Sequence, residues 1–256
     1  MKTIVQLITP IITRGIRQLD DVGELERPDL EVRHSILDKG PASIESEFDE
    51  ALSIPDTIKK AIEAERGGAH AIVIDCMGDP GLDACREVVS IPVLGPCQTA
   101  MYTASLLAHR FGFITVLGRL RPLIDNMASK YGINANYASF QAIDIPVLEI
   151  SHDSAKLNDA LTEKAILSVQ RDGADALILG CTGFLGCAVA MRRGLLDAGL
   201  DVPVIDPIPL AVHTADALVK TGLSHSKRTW PLPDIKGLAG YDMPGFPGTM
   251  KQREVA

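Results

Sequence analysis

Two eleven-residue segments, RGGAHAIVIDC (Arg66 to Cys76) and RDGADALILGC (Arg171 to Cys181), repeat one another 105 residues apart. Five of the eleven positions are identical, and Ile72/Leu177, Val73/Ile178 and Ile74/Leu179 are conservative pairs. The correspondence resumes at Ile91 to Leu107 against Val202 to Leu218, with an offset of 111. An internal duplication of this kind restricts the chain to a fold made of two related units. Each copy ends a short apolar run on a cysteine, which puts that cysteine where a buried strand stops and a loop begins.

Short apolar runs alternate with longer stretches of helical character along the chain, the pattern of an α/β fold. The first half offers strands at Thr3 to Ile8, Glu31 to Ile36, Ala71 to Asp75 and Val93 to Leu94. The second offers Phe113 to Leu117, Val147 to Ile150, Ala176 to Leu179 and Val204 to Ile205. Helices are predicted at Pro55 to Arg66 and at Ser154 to Arg171, the latter with Ser151 and Asp153 as caps, and Gly67, Gly68 and Gly173 supply stops. The expected architecture is two pseudo-symmetric domains, each a four-stranded, mainly parallel sheet flanked by helices. Ligands of such sheets sit at the carboxyl ends of the strands, so the site belongs in the cleft between the domains. The simplest division is residues 1–110 with a return of 206–256, against residues 111–205. The tail from Ser224, rich in proline and glycine, is expected to wrap the surface or be poorly ordered.

A formal charge of −8 repels nucleic acid and anionic membrane surfaces, so neither is an expected partner. No apolar run approaches the roughly 20 residues of a membrane-spanning helix. The odd count of five cysteines argues against a disulfide framework and for a reducing, cytoplasmic setting.

An isolated cysteine is ordinarily a small core residue, and Cys85, Cys97 and Cys187, which break the register of the repeat, are read that way. Cys76 and Cys181 differ because they recur in register at strand ends. Neither Cys76/Cys85 nor Cys181/Cys187 has zinc-ligand spacing, and no cofactor or metal is called for. A free thiol has a pKa of about 8.5, so a thiolate base needs help. Backbone N–H groups near Met77, Gly78, Thr182 and Gly183 can supply it, and can also receive negative charge forming on a substrate carbonyl. Two thiols on opposite faces of a carbon suit inversion of configuration, one removing a proton and the other delivering one. The substrate is then a small molecule with an acidic C–H next to a carbonyl.

The segments DCMGDPGLDACREVVSIPVLG (Asp75 to Gly95), LILGCTGF (Leu177 to Phe184) and PVIDPIPLAVHTADALVKTGLSHSKR (Pro203 to Arg228) resemble the aspartate/glutamate racemase superfamily, in particular its hydantoin racemase branch. Agreement is weakest over residues 14–55. The resemblance implies a cofactor-independent isomerase that transfers a proton between two bases, with Cys76 and Cys181 as those bases, and a homo-oligomer. Amino-acid racemisation, cis–trans isomerisation and arylmalonate-type decarboxylation are other reactions of the superfamily, and a non-catalytic small-molecule binder is the alternative of another class. Decarboxylases of this resemblance rely on one cysteine, so the presence of both favours racemisation or isomerisation. The chain departs from the branch after its first strand. Thr9, Pro10, Ile11, Ile12 and Thr13 stand where the branch has an Asn-Pro-Asn-Ser/Thr loop; Thr9, Pro10 and Ile11 are candidates to contact the substrate, and a wall built from Ile11 and Ile12 is expected to be less polar.

Secondary candidates are Gln98, Arg119, Arg121 and Asp206 at the expected cleft edge, with a surface or helix-capping role as the plain alternative for each. Asp79, in a Gly-Asp-Pro-Gly turn, is expected to cap the turn that follows it. Asp75 adjoins Cys76 where the other copy has Gly180, and its charge is expected to raise the Cys76 thiol and leave Cys181 as the resting base.

Overall fold

The computed structural model describes residues 2–17, 21, 23–150, 155–234 and 236–245. In one sheet, β1 (Thr3–Thr9), β2 (Leu30–Ile36), β3 (Ala71–Ile74) and β4 (Val93–Leu94) lie in the order β2-β1-β3-β4. In the other, β5 (Phe111–Thr115), β6 (Tyr137–Ala142), β7 (Ala176–Leu179) and β8 (Val204–Ile205) repeat it as β6-β5-β7-β8. All pairings between these strands are parallel. Parallel strands covered on both faces require unbroken apolar runs, and AIVI of β3 and ALIL of β7 are buried at every position. The duplication is therefore carried by the third strand in sequence of each sheet.

Seven helices are described in full: α1 (Glu47–Arg66), α2 (Leu82–Val88), α3 (Pro96–Leu107), α4 (Arg121–Lys130), α5 (Ala155–Gln170), α6 (Cys187–Asp197) and α7 (Pro207–Lys220). Two of them change sides. From α3, Cys97, Ala100, Met101 and Ala104 are buried with Phe111, Phe113, Leu177 and Leu179 of the second sheet. From α7, Ile208, Ala211, Val212 and Ala215 are buried with Val5, Leu7, Ala71 and Val73 of the first. The exchanged helices also pack on each other. A cut at residue 110 thus leaves α3 on the far side of the core it helps to fill. Cys85, Cys97 and Cys187 are buried, as the break in register predicts.

The second strand of the second half lies at Tyr137–Ala142, and the expected strand at Val147 to Ile150 is a 3-10 turn, Val147–Glu149. Polar Ser139 and Gln141 disguise β6 in the sequence. Both are buried because they donate to Asp172 Oδ2, each at 2.7 Å, a partner some thirty residues away. The first strand of that half is displaced from Phe113 to Leu117 to Phe111–Thr115. Helix α1 begins at Glu47 and not at Pro55, which lies inside it. Ser46 caps it, accepting from Asp49 N at 3.2 Å and donating to Asp49 Oδ2 at 2.6 Å, and Glu47, Asp49 and Glu50 place negative charge in the first turn. The hydroxyls of Ser53 and Thr57, on either side of the proline, donate to the carbonyls of Glu50 and Ser53. The expected caps Ser151 and Asp153 and the start at Ser154 lie outside the described residues.

The tail wraps the surface where it is described. Lys227 Nζ donates to the carbonyls of Arg86, Glu87 and Val89 at the end of α2, and Trp230 lies 5.0 Å from the Arg86 guanidinium. None of the described helices is long and apolar enough to cross a membrane.

Candidate functional site

The carboxyl ends of the two sheets face one cleft, and both repeated cysteines line it. Its free space is about 70 Å³, where one water needs roughly 10–15 Å³ on the same measure, so it admits a small molecule and not a polymer. Around the cysteines stand Thr9 at the end of β1 with Pro10 and Ile11 after it, Met77 and Gly78 after Cys76, and Thr182 and Gly183 after Cys181. The loops expected from the sequence to form the site are brought together. Ile12 is 42% exposed and outside the lining.

The two cysteine loops share one geometry. Gly78 N approaches Cys76 Sγ at 3.5 Å, and Gly183 N approaches Cys181 Sγ at 3.3 Å. Gly81 and Gly186, again 105 residues apart, sit at φ 70° and 85° as the N-caps of α2 and α6, a left-handed turn that glycine takes without strain. The amides do not offset burial. Burial pushes the Cys76 thiol well above its ordinary value against the Gly78 amide, and negative charge at Glu50, Cys181 and Asp79 pushes it further. Burial also raises Cys181, to about 12, with the Gly183 amide and Arg17 acting against it and Asp75 and Glu45 with it. Burial thus raises both thiols, and Arg17 opposes the rise only at Cys181.

Asp75 does not act as its place in the chain suggests. Its carboxylate is gripped by Arg17, with Nη2 on Oδ1 at 2.7 Å and Nε on Oδ2 at 3.1 Å, and Thr9 Oγ1 donates to Oδ2 at 2.7 Å. Burial alone would raise this carboxyl, but the guanidinium and Thr9 hold it below the usual carboxylate range. Since Thr9 spends its only proton on Asp75, His34 Nε2, 2.8 Å from Thr9 Oγ1, is the donor of that contact. Arg17 also donates to the carbonyl of Thr182 at 3.0 Å, and Thr182 Oγ1 donates to the carbonyl of Asp75 at 3.2 Å. The loops of the two halves are thereby tied across the cleft. The carboxylate that bears most on Cys76 is Glu50, not Asp75.

Sequence reasoning missed Arg17 and Glu50. Arg17 falls in the stretch of weakest resemblance, and Glu50 enters the cleft only because α1 starts earlier than Pro55. The signal for Glu50 was the Ser46-Glu47-Phe48-Asp49 cap. Burial raises the Glu50 carboxyl to about 7, and Glu47 and Asp79 add to the shift. Because the folded chain binds this proton more tightly, stability falls as pH rises from about 4.5 to about 7 and is level above that. Glu50→Gln should remove that loss. Between pH 5 and 8, wild type is expected to lose about 1–2 kcal/mol more than the variant in urea unfolding, a figure reduced for partial exposure. Equal slopes would show that Glu50 ionises freely.

The secondary candidates lie elsewhere. Arg119 is exposed in a 3-10 turn, and Arg121, also exposed, stacks 4.6 Å from the Phe140 ring. Gln98 accepts from Arg86 Nη2 at 2.7 Å and does not line the cleft. Asp206 caps α7, accepting from Ile208 N at 3.4 Å and Gly186 N at 2.8 Å. Asp79 caps α3 and not the turn that follows it, accepting from Cys97 N at 3.0 Å and Gln98 N at 2.9 Å, while Tyr131 donates at 2.7 Å. Gly95 leaves room for it, since a Cβ there would lie 2.3 Å from Asp79 Cγ. Both exchanged helices thus carry a carboxylate at the N-terminus, supplied from different places in the two copies. Among the described residues no group of three His, Cys, Asp or Glu is placed to hold a metal ion.

Two parallel α/β units with a small-molecule cleft at their strand ends form a fold that racemases share with arylmalonate decarboxylase. Residues 17–215 match the Asp/Glu/Hydantoin racemase family, and the chain belongs to that family. It is 38% identical over 202 residues to a hydantoin racemase of Rhizobium meliloti, covering 78% of this chain and 82% of the relative. Among solved structures it is similar to an allantoin racemase from Klebsiella pneumoniae, with a TM-score of 0.86 and 32% identity over 93% of this chain and 97% of the other. A glutamate racemase from Bacillus anthracis shares the fold at TM-score 0.62 and 18% identity, over 88% of this chain and 85% of that one. The chain is an enzyme, an isomerase, of the class its duplication and cleft imply.

Proposed function

We propose that this enzyme racemises 5-substituted hydantoins or a related cyclic ureide such as allantoin, by proton transfer between Cys76 and Cys181. The observation that carries the reading is that the repeated cysteines, one from each half (1–110 with 206–256, and 111–205), line one cavity of small-molecule size. The printed activities of the relatives supply the substrate class. A thiolate at one cysteine takes the proton from the ring carbon, leaving an enolate. The thiol at the other gives its proton to the opposite face, so the enzyme ends with charge and proton exchanged between the sulfurs. The reverse enantiomer uses the reverse roles. Thr9, Pro10, Ile11, Met77 and Thr182 form the walls, and the Gly78 and Gly183 amides steady whichever sulfur is ionised. The reaction is cofactor-independent, and free thiols suit an enzyme of the reducing cytoplasm. A homo-oligomer completes the reading.

Each enantiomer of 5-benzylhydantoin, 5-isopropylhydantoin and allantoin should be incubated with enzyme in D₂O. At early times the inverted product is expected to carry deuterium at the ring carbon while the recovered substrate keeps its proton. Because the ring proton of these compounds exchanges unaided, rates are read above an enzyme-free control. No acceleration with any of the three compounds would overturn the substrate class, and proton retention in the product would overturn two-base transfer.

A further inference from the structure

Among the described residues that line the cleft, Arg17 is the only cation, and its side chain is 2% exposed. Of its five N–H groups, Nε and Nη2 bond to Asp75 and to the Thr182 carbonyl. Nη1 is buried and has no partner among the described residues. A buried charged donor left unpaired is costly and uncommon, and because Arg17 lines the cleft a bound ligand is a source of the missing acceptor.

The charge around this donor narrows what the acceptor can be. Asp75 neutralises the guanidinium in a two-pronged pair, and Glu50 and Asp79 add acidic groups near Cys76. The cleft thus presents an N–H donor with no uncompensated positive charge to hold a full anion. An oxygen that is neutral in the substrate and gains charge only as the neighbouring carbon loses its proton fits that environment.

We propose that Arg17 Nη1 donates to the substrate carbonyl beside the reacting carbon, making Arg17 the enolate-stabilising residue and selecting a neutral cyclic carbonyl over a free carboxylate. This rests on the function proposed above. It also gives the chain a polar group where the Asn-containing loop of the hydantoin racemase branch is replaced by Thr9, Pro10 and Ile11. The wall is apolar along Ile11 and polar at Arg17.

Arg17→Lys tests the assignment, because lysine can keep the ion pair with Asp75 but cannot extend a second arm. With 5-benzylhydantoin, kcat is expected to fall by about 10²–10³-fold, the cost of one oxyanion donor, with KM changed only a few-fold and the thermal transition retained. Should the variant not fold, Arg17→Met combined with Asp75→Leu removes both charges together and should show the same loss in kcat. Wild-type kcat in whichever of these folds would overturn the role of Arg17. The ring-opened N-carbamoyl-phenylalanine, in which a carboxylate replaces the neutral carbonyl, is intrinsically the weaker carbon acid and is expected to be racemised at least about 10²-fold more slowly by wild type, from that weaker acidity together with loss of the interaction. Comparable kcat/KM for the two compounds would overturn the selectivity. A wild type inert toward all hydantoins would overturn the proposed function and this inference together; an active wild type with unaffected variants overturns this inference alone.

Discussion

Replacing Cys76 or Cys181 by alanine is expected to reduce racemisation by roughly 10²–10⁴-fold or more, whichever enantiomer is supplied. The two variants should nonetheless differ. With Cys181 retained, only the enantiomer whose C–H faces Cys181 should exchange with solvent deuterium, and with Cys76 retained only the other should. Exchange should also be faster where Cys181 remains. Burial raises both thiols and acidic neighbours add to the rise at each, Glu50 and Asp79 at Cys76 and Asp75 and Glu45 at Cys181, but only at Cys181 does a cation, Arg17, work against it. Chiral chromatography and proton NMR in D₂O measure inversion and exchange separately. Full racemisation by either variant would defeat the two-base mechanism, and equal exchange of both enantiomers by one variant would defeat the assignment of one face to each thiol.

Gly180→Asp, which copies Asp75 into the other half, should prevent stable folding. A Cβ at Gly180 would lie 2.3 Å from Phe113 Cε1 and 2.7 Å from the carbonyl oxygen of Ile114. The second contact is backbone of β5 and cannot swing away. Gly180→Ala isolates this overpacking, expected at about 1–3 kcal/mol. The aspartate adds a carboxylate directed at the Phe113 ring and the Ile114 carbonyl oxygen, so the total should exceed about 4 kcal/mol. Urea denaturation of the alanine variant and soluble yield of the aspartate variant measure the two parts. An aspartate variant as stable as wild type would mean that the halves differ at this position for no steric reason.

The duplication made the two sheets and the cysteine loops legible because their signals are local: apolar runs of strand length and the glycines that follow them. Thr9, Gly78 and Thr182 could be placed for the same reason. What escaped depends on partners distant in the chain. Strand β6 reads as polar until Asp172 is beside Ser139 and Gln141, and Arg17 reads as a surface cation until Asp75 and Thr182 close around it. Arg119 and Arg121 show the converse. Their place after a strand was legible, but the 3-10 turn that holds Arg119 and the helix start that holds Arg121, both exposed, were not.

The exchange of α3 and α7 also bears on the order in which the chain can fold. During synthesis, β1 and β3 emerge early, yet the residues that cover Val5, Leu7, Ala71 and Val73 lie at Ile208 to Ala215. The first sheet must wait, one apolar face uncovered, until most of the chain has left the ribosome. The second sheet meets no such delay, because α3 precedes it and is ready when β5 and β7 appear. The C-terminal copy can therefore consolidate first, reversing the usual N-to-C order of domain folding, and a chain halted before residue 207 would expose an aggregation-prone sheet.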